Sequence, residues 1–369
     1  MKRIVDKIFI ENFKSIKKLE LELRNINILV GSNGAGKSNF ISFFRMLNSF
    51  VEKEFQTYVK KEGGANSLLY FGMKNSQYIK GKVIFQRNFY EFTLLPDIED
   101  NLFFQYEKIG FKTDKNYWSE EIINNNNSES KLLEKSEKRS IHGWQKSKSY
   151  YVFKAMKTWR VYHFHDTSYT SPMRHPSKIN DNKFFRYNAS NLPSFLYLLQ
   201  KNFPENFNAI ERNFRKIAPF FSRFELQPDR LNPEIIRLEW KHKDSDEYFS
   251  AAHLSDGSLR MLCLLVLLLQ PDEFLPSTIL IDEPELGLHP AAIRLFSELV
   301  KITAKKTQII ISTQSPLLIS YFKPEDIIVV DIKDKQSVFR RLESKELEVW
   351  LEEYTLGELW EKNIIGGRP

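Results

Sequence analysis

The feature that most restricts this chain is the run Gly31-Ser-Asn-Gly-Ala-Gly-Lys-Ser38. It stands between an apolar stretch, Ile26 to Val30, and a segment in which Phe40, Phe43, Phe44, Leu47 and Phe50 recur at helical spacing. The first flank reads as a buried strand and the second as a helix with one apolar face. Strand, glycine loop and helix in that order satisfy the P-loop pattern G-x-x-x-x-G-K-S/T in the context it needs. Glycines let backbone N–H groups wrap a phosphate chain, and the start of the helix adds positive dipole. Asn33, Gly34, Ala35, Gly36, Lys37, Ser38 and Asn39 are therefore expected to bind ATP, with Lys37 at the β- and γ-phosphates and the Ser38 hydroxyl on Mg2+.

Far downstream, Thr278-Ile-Leu-Ile-Asp-Glu283 is an apolar strand ending in two carboxylates, the Walker B arrangement. Asp282 is the expected second Mg2+ ligand, and Glu283, one residue further, is the expected catalytic base that polarises the attacking water. Between the two motifs lies Leu254-Ser-Asp-Gly-Ser258, followed by an apolar run, Met261 to Leu269, that reads as a buried helix. After Glu283 come Pro284-Glu-Leu-Gly-Leu-His289, a helix, a buried strand from Gln308 to Ile311, and Ser312-Thr-Gln-Ser-Pro316.

Five elements in this order resemble the ATPases of the ABC/SMC type, in the RecF/OLD-like group, over about half of the chain. The resemblance implies an α/β fold: an ABC-type nucleotide-binding core with a β-rich lobe and an inserted helical lobe. It identifies Leu254-Ser-Asp-Gly257 with the signature loop, so Ser255 and Gly257 would contact the γ-phosphate held by the opposite subunit. It also makes the stretch after Glu283 the D-loop region and Gln314 the γ-phosphate switch, in the position where the family usually has histidine. A glutamine there hydrogen-bonds but does not ionise near neutral pH, which implies slow turnover. Asn12 to Ile16, with Lys14, resembles the opening strand motif near which base and ribose bind. Gln56, Gln77 and Gln86 remain equal candidates for the Q-loop. The C-terminal Gly357 to Pro369 resembles the tail of bacterial ATPases of similar length that lack a Toprim domain.

The expected organisation is an N-terminal part of the core at 1–75, a β-rich lobe and helical insertion at 76–235, a C-terminal part of the core at 236–334, and a tail at 335–369. Short β-branched and aromatic runs from Tyr78 to Tyr106 suggest an antiparallel sheet. The polar stretch 112–149, with Asn124 to Asn127, reads as a surface insertion. Apolar spacing between Asn191 and Phe221 gives two helices. His163 and His165 alternate as one face of a strand, in a structural rather than metal-binding role. The Trp- and Phe-rich middle reads as core.

Composition excludes some classes. One cysteine, Cys263, sits in the apolar helix and forbids an intramolecular disulfide, as expected in a reducing compartment. The N-terminus lacks a secretory pattern and no apolar run is long enough to span a membrane, so a cytoplasmic location is expected. The formal charge of +7, from 54 basic and 47 acidic residues, permits a basic face without establishing nucleic-acid binding. The leading expectation is an ATPase that dimerises around two ATP and gates a separately encoded effector or nuclease, in an antiphage setting. The alternative is a RecF-like DNA repair or maintenance clamp.

Overall fold

The computed structural model describes residues 4–138 and 147–368. In chain order the N-terminal half runs β1 (Lys7–Phe13), β2 (Ile16–Glu22), β3 (Ile26–Val30), α1 (Lys37–Glu52), α2 (Phe55–Lys61), α3 (Ala65–Leu68), β4 (Ile79–Phe85), β5 (Asn88–Pro96), β6 (Leu102–Lys112), β7 (Trp118–Asn127), α4 (Leu132–Glu137), α5 (Lys148–Met156) and β8 (Trp159–Tyr162). It continues with β9 (Ser177–Lys178), α6 (Leu192–Asn202), α7 (Pro204–Ile217), β10 (Phe221–Glu225), β11 (Ile235–Ile236), β12 (Glu239–His242), β13 (Tyr248–Ser250) and α8 (Asp256–Leu269). The last part is β14 (Thr278–Asp282), α9 (Pro290–Thr303), β15 (Gln308–Thr313), α10 (Pro316–Ile319), β16 (Ile327–Lys333), β17 (Gln336–Arg341), α11 (Ser344–Leu351) and α12 (Leu356–Glu361).

The central sheet has the order β17-β16-β3-β15-β14-β8. All neighbours in it are parallel except the β16–β17 hairpin. Both faces are covered, which is why its strands read as continuous apolar runs rather than as alternation. Successive residues serve different cores: Ile279, Ile281, Ile309 and Ile311 face α6 to α9, whereas Leu280 and Ile310 face α1. A second sheet, β2-β1-β4-β5-β6-β7, is antiparallel throughout. Helix α1 lies between the two sheets, its phenylalanines edge-on to rings from both: Phe43 to Phe13 at 5.5 Å, Phe50 to Phe92 at 5.0 Å and Phe44 to Trp159 at 6.2 Å. Each such ring contributes roughly 1.5–3 kcal/mol on burial, so the P-loop helix is anchored on two sides. Cys263 and the run around it are buried in α8.

Two expectations need correction. The polar stretch 112–149 is not a surface insertion throughout, because Trp118–Asn127 forms the edge strand β7, with Asn124, Asn125 and Asn127 opposite Glu107, Tyr106 and Phe104. Residues 139–146 of that stretch lie outside the described residues. The expected boundary at residue 75 cuts through a sheet rather than separating two: β1 and β2, from before it, pair into the same sheet as β4 to β7. Among the described residues no helix is long and apolar enough to cross a membrane.

Candidate functional site

Because β3, β15, β14 and β8 run parallel, their C-terminal ends form one crest, where α/β sheets bind ligands. The P-loop leaves β3 at this crest. A Cβ on Gly31 would lie 2.1 Å from Val330 O, and Gly36 adopts φ 110°, so both positions need glycine. Lys37 is buried, and its Nζ donates to the carbonyls of Gly31 (2.6 Å) and Ser32 (2.9 Å). Burial lowers its pKa below the usual lysine range, and Glu283, Asp282 and Glu285 pull in the opposite direction. Asn33, Gly34 and Ser38 are exposed, free to meet a ligand. Ala35 and Gly36 are buried, and Asn39 donates to Ser15 Oγ (2.7 Å). Lys14 sits after β1 at positive φ and pairs with Glu62 at 2.6 Å.

At the end of β14, Asp282 is buried and accepts a short hydrogen bond from Ser312 Oγ, its register partner on β15. Glu283 turns out of the strand at φ 40°, its backbone N–H held by Ser312 O at 2.9 Å. Gln314 Nε2 donates a short bond to Glu283 Oε1, so the expected base and the expected switch already touch. Behind them lies Glu285, to which no motif assigns a role. Its Oε1 accepts from Thr313 Oγ1 (2.5 Å) and from the Gln314 backbone N–H (3.2 Å), while Oε2 is buried with no hydrogen-bond partner among the described residues. Burial pushes the Glu285 carboxyl above the usual range.

The expected signature loop, Leu254 to Gly257, belongs to a different neighbourhood. Ser255 caps α8, its Oγ accepting from Ser258 N–H at 3.2 Å, and it is exposed. A Cβ on Gly257 would lie 2.5 Å from Gly287 O, so this glycine lets the signature loop meet the D-loop region. Among the described residues no hydrogen bond or ion pair joins Leu254–Ser258 to Gly31–Asn39. The segment after β8 connects the signature helix to Walker B instead. Arg174 donates to Ala251 O (2.7 Å), Leu254 O (3.0 Å) and Asp256 Oδ1 (2.7 Å). Arg260 donates to Phe164 O and His165 O, both at 3.0 Å, and His165 Nε2 donates to Asp282 O at 2.7 Å.

His163 and His165 are not one face of a strand, since β8 stops at Tyr162; they follow it, with ring centroids 4.2 Å apart. Burial lowers the His163 pKa to about 4. Among the described residues no group of three or more His, Cys, Asp or Glu is arranged to hold a metal ion by itself. Of the Q-loop candidates, Gln56 bonds Leu102 O and Ser128 O, and Gln86 sits in the β4–β5 turn at φ 54°. What stands at the crest end of β8, beside Walker B, is the histidine pair. Contacts of this kind, through backbone carbonyls, leave no motif to read.

Residues 26–320 match the family described as "AAA domain, putative AbiEii toxin, Type IV TA system". The chain belongs to this AAA family. The matched span runs from β3 to the end of α10 and so takes in the whole crest. No curated protein matches the chain. Among solved structures it is similar to an "SmcHead bound to the C-winged helix domain of ScpA", with 16% identity and TM-score 0.54 over 93% of this chain and 99% of that one. It is also similar to an "Smc head domain with an extended coiled coil bound to the C-terminal domain of ScpA derived from Pyrococcus furiosus", with 16% identity and TM-score 0.53 over 96% and 99%. This AAA chain therefore has the fold of an SMC-type ATPase head.

Proposed function

We propose that this AAA chain binds and hydrolyses ATP as a head-to-head homodimer that closes on two nucleotides. The observation that carries the reading is the joining of Glu283 to Gln314 across the ends of β14 and β15, beside the P-loop lysine. Lys37, now bonded to the loop's own carbonyls, would exchange them for β- and γ-phosphate oxygens. Glu283 accepts the proton of the attacking water while Gln314 orients that water by hydrogen bonding. The exposed Ser38 hydroxyl and the Asp282 carboxylate are hard oxygen donors that fit magnesium, which when bound would neutralise developing phosphate charge. Asn33, Gly34, Ala35, Gly36 and Asn39 complete the cradle, and Lys14 lies toward the base.

Ser255 and Gly257, tied to the far side of Walker B, act on the partner's nucleotide, so each complete site needs two chains. Mixing Lys37→Ala with Ser255→Arg subunits tests this. Each variant alone should be inactive, and the mixture should recover about one active site per mixed dimer. Full activity of either variant alone would contradict the arrangement.

ATP-driven closure would gate a separately encoded effector or nuclease. The toxin–antitoxin family description and the protein partner carried by the similar SMC heads support that part by analogy.

A further inference from the structure

The C-terminal residues from Ile327 onward have no part in the chemistry above, yet they press on the site at three points. Ser337, on β17 and buried, donates from Oγ to Ala35 O at 2.6 Å and shares a hydrogen bond with Ser15 Oγ at 2.6 Å. Asn39 donates to that same Ser15 oxygen at 2.7 Å. The polarity is consistent along the row: Asn39 amide to Ser15 hydroxyl, Ser15 hydroxyl to Ser337 hydroxyl, Ser337 hydroxyl to the P-loop carbonyl. Each of the two hydroxyls accepts one hydrogen bond and donates one through a single oxygen. Gly36 leaves room for this, since a Cβ there would fall 2.1 Å from Ser337 Oγ.

The second contact is at Gly367, where a Cβ would lie 3.5 Å from Gly31 Cα, at the start of the P-loop, and 2.8 Å from Val329 Cγ1. The third is Gly357 on α12, where a Cβ would lie 2.3 Å from Pro316 O and 2.4 Å from Ser320 Oγ. Pro316 opens α10, two residues after the switch residue Gln314. The Gly357 N–H also donates to Ser320 Oγ at 3.1 Å.

We propose that Ser337 and Gly357 are positioning residues of the nucleotide site, Ser337 for phosphate binding and Gly357 for hydrolysis. In a planar trans peptide the carbonyl and the following N–H point in opposite directions. By holding Ala35 C=O toward β17, Ser337 turns the Gly36 N–H away from β17, into the phosphate cradle. Gly357 acts elsewhere. It lets α12 seat against α10, which fixes the segment behind Gln314 and so the approach of its amide to Glu283.

This inference rests on the nucleotide-site reading, and the full chain tests both. Ser337→Ala, Ser337→Thr and Gly357→Ala are compared with wild type and Lys37→Ala for ATP and ADP affinity, kcat and thermal unfolding. Ser337→Ala should weaken ATP and ADP alike, by about fivefold for one lost hydrogen bond, with kcat within twofold of wild type. Ser337→Thr, which keeps the donor, should restore binding. Gly357→Ala should keep both affinities and lower kcat by roughly tenfold or more through misplacement of the switch. Unchanged affinity in Ser337→Ala would overturn the proposal. So would parallel loss of binding and kcat in both variants in step with lost folded protein, the signature of a merely structural role. Wild type failing to bind ATP at all would instead overturn the nucleotide-site reading.

Discussion

Gln314 carries the sharpest consequence at the scale of single residues. Its amide reaches Glu283 directly and does not ionise, so the hydrolysis rate should show no titration from this position between about pH 6 and 8. Gln314→His should introduce one, and Gln314→Ala should lower kcat by roughly 10- to 1000-fold with nucleotide affinity nearly unchanged. Steady-state rates and binding measured across that range check all three. His163 gives a stability prediction. Its folded pKa, about 4, lies below the ordinary 6.5, so between these values the unfolded chain takes up a proton that the folded one refuses. Stability should therefore fall as pH drops through that window, by about 1–2 kcal/mol from this group after allowing for its partial exposure. His163→Asn should remove that part of the slope in urea unfolding at pH 7 and pH 4. The motif residues of the proposed site stand out in the sequence because phosphate chemistry demands particular residue types at fixed spacing. The contacts of Glu285 and Ser312 within the quoted stretches were not legible, since a loop turning back makes the first matter and a strand register the second.

At the scale of elements, the segment after β8 is the link between two parts of the site. Arg174 holds the Ala251 carbonyl ahead of the expected signature loop and the Leu254 carbonyl and Asp256 carboxylate within it, while Arg260 and His165 hold the same segment against α8 and Walker B. Arg174→Ala should leave nucleotide binding near wild type, because the P-loop is not among its partners. It should lower hydrolysis by roughly 10- to 100-fold, as expected when groups acting on the transition state are misplaced. Equal losses in affinity and rate would argue against this. The helical pair α6 and α7 followed from apolar periodicity, and strands β4 to β6 from their β-branched and aromatic runs. Strand β7 did not, because an edge strand with one buried isoleucine, Ile123, and a run of asparagines carries no alternating apolar pattern. Its pairing with β6 supplies the hydrogen bonds that composition had assigned to solvent.

For the whole molecule, the prediction concerns closure. Glu283→Gln keeps volume and hydrogen bonding at the end of β14 but removes the base, so ATP should bind and persist unhydrolysed, and the dimer should persist with it. Sedimentation with ATP and Mg2+ decides: a monomeric Glu283→Gln protein beside a dimerising wild type would show that Glu283 is not the base. By itself the sequence determined the class of fold and pointed to nucleotide chemistry, because the motifs for a phosphate cradle and strand-end carboxylates are contiguous in the chain and need the same residues wherever they occur. Only the tertiary structure decided which groups hold that chemistry in place. Ser337 meets Ala35 across 302 positions, and Arg260 reaches the carbonyls after β8 across 95 and 96. Such contacts are made by backbone carbonyls and by hydroxyls that any residue or many residues could offer, so they exist only once the sheets have stacked and brought distant strand ends to one crest.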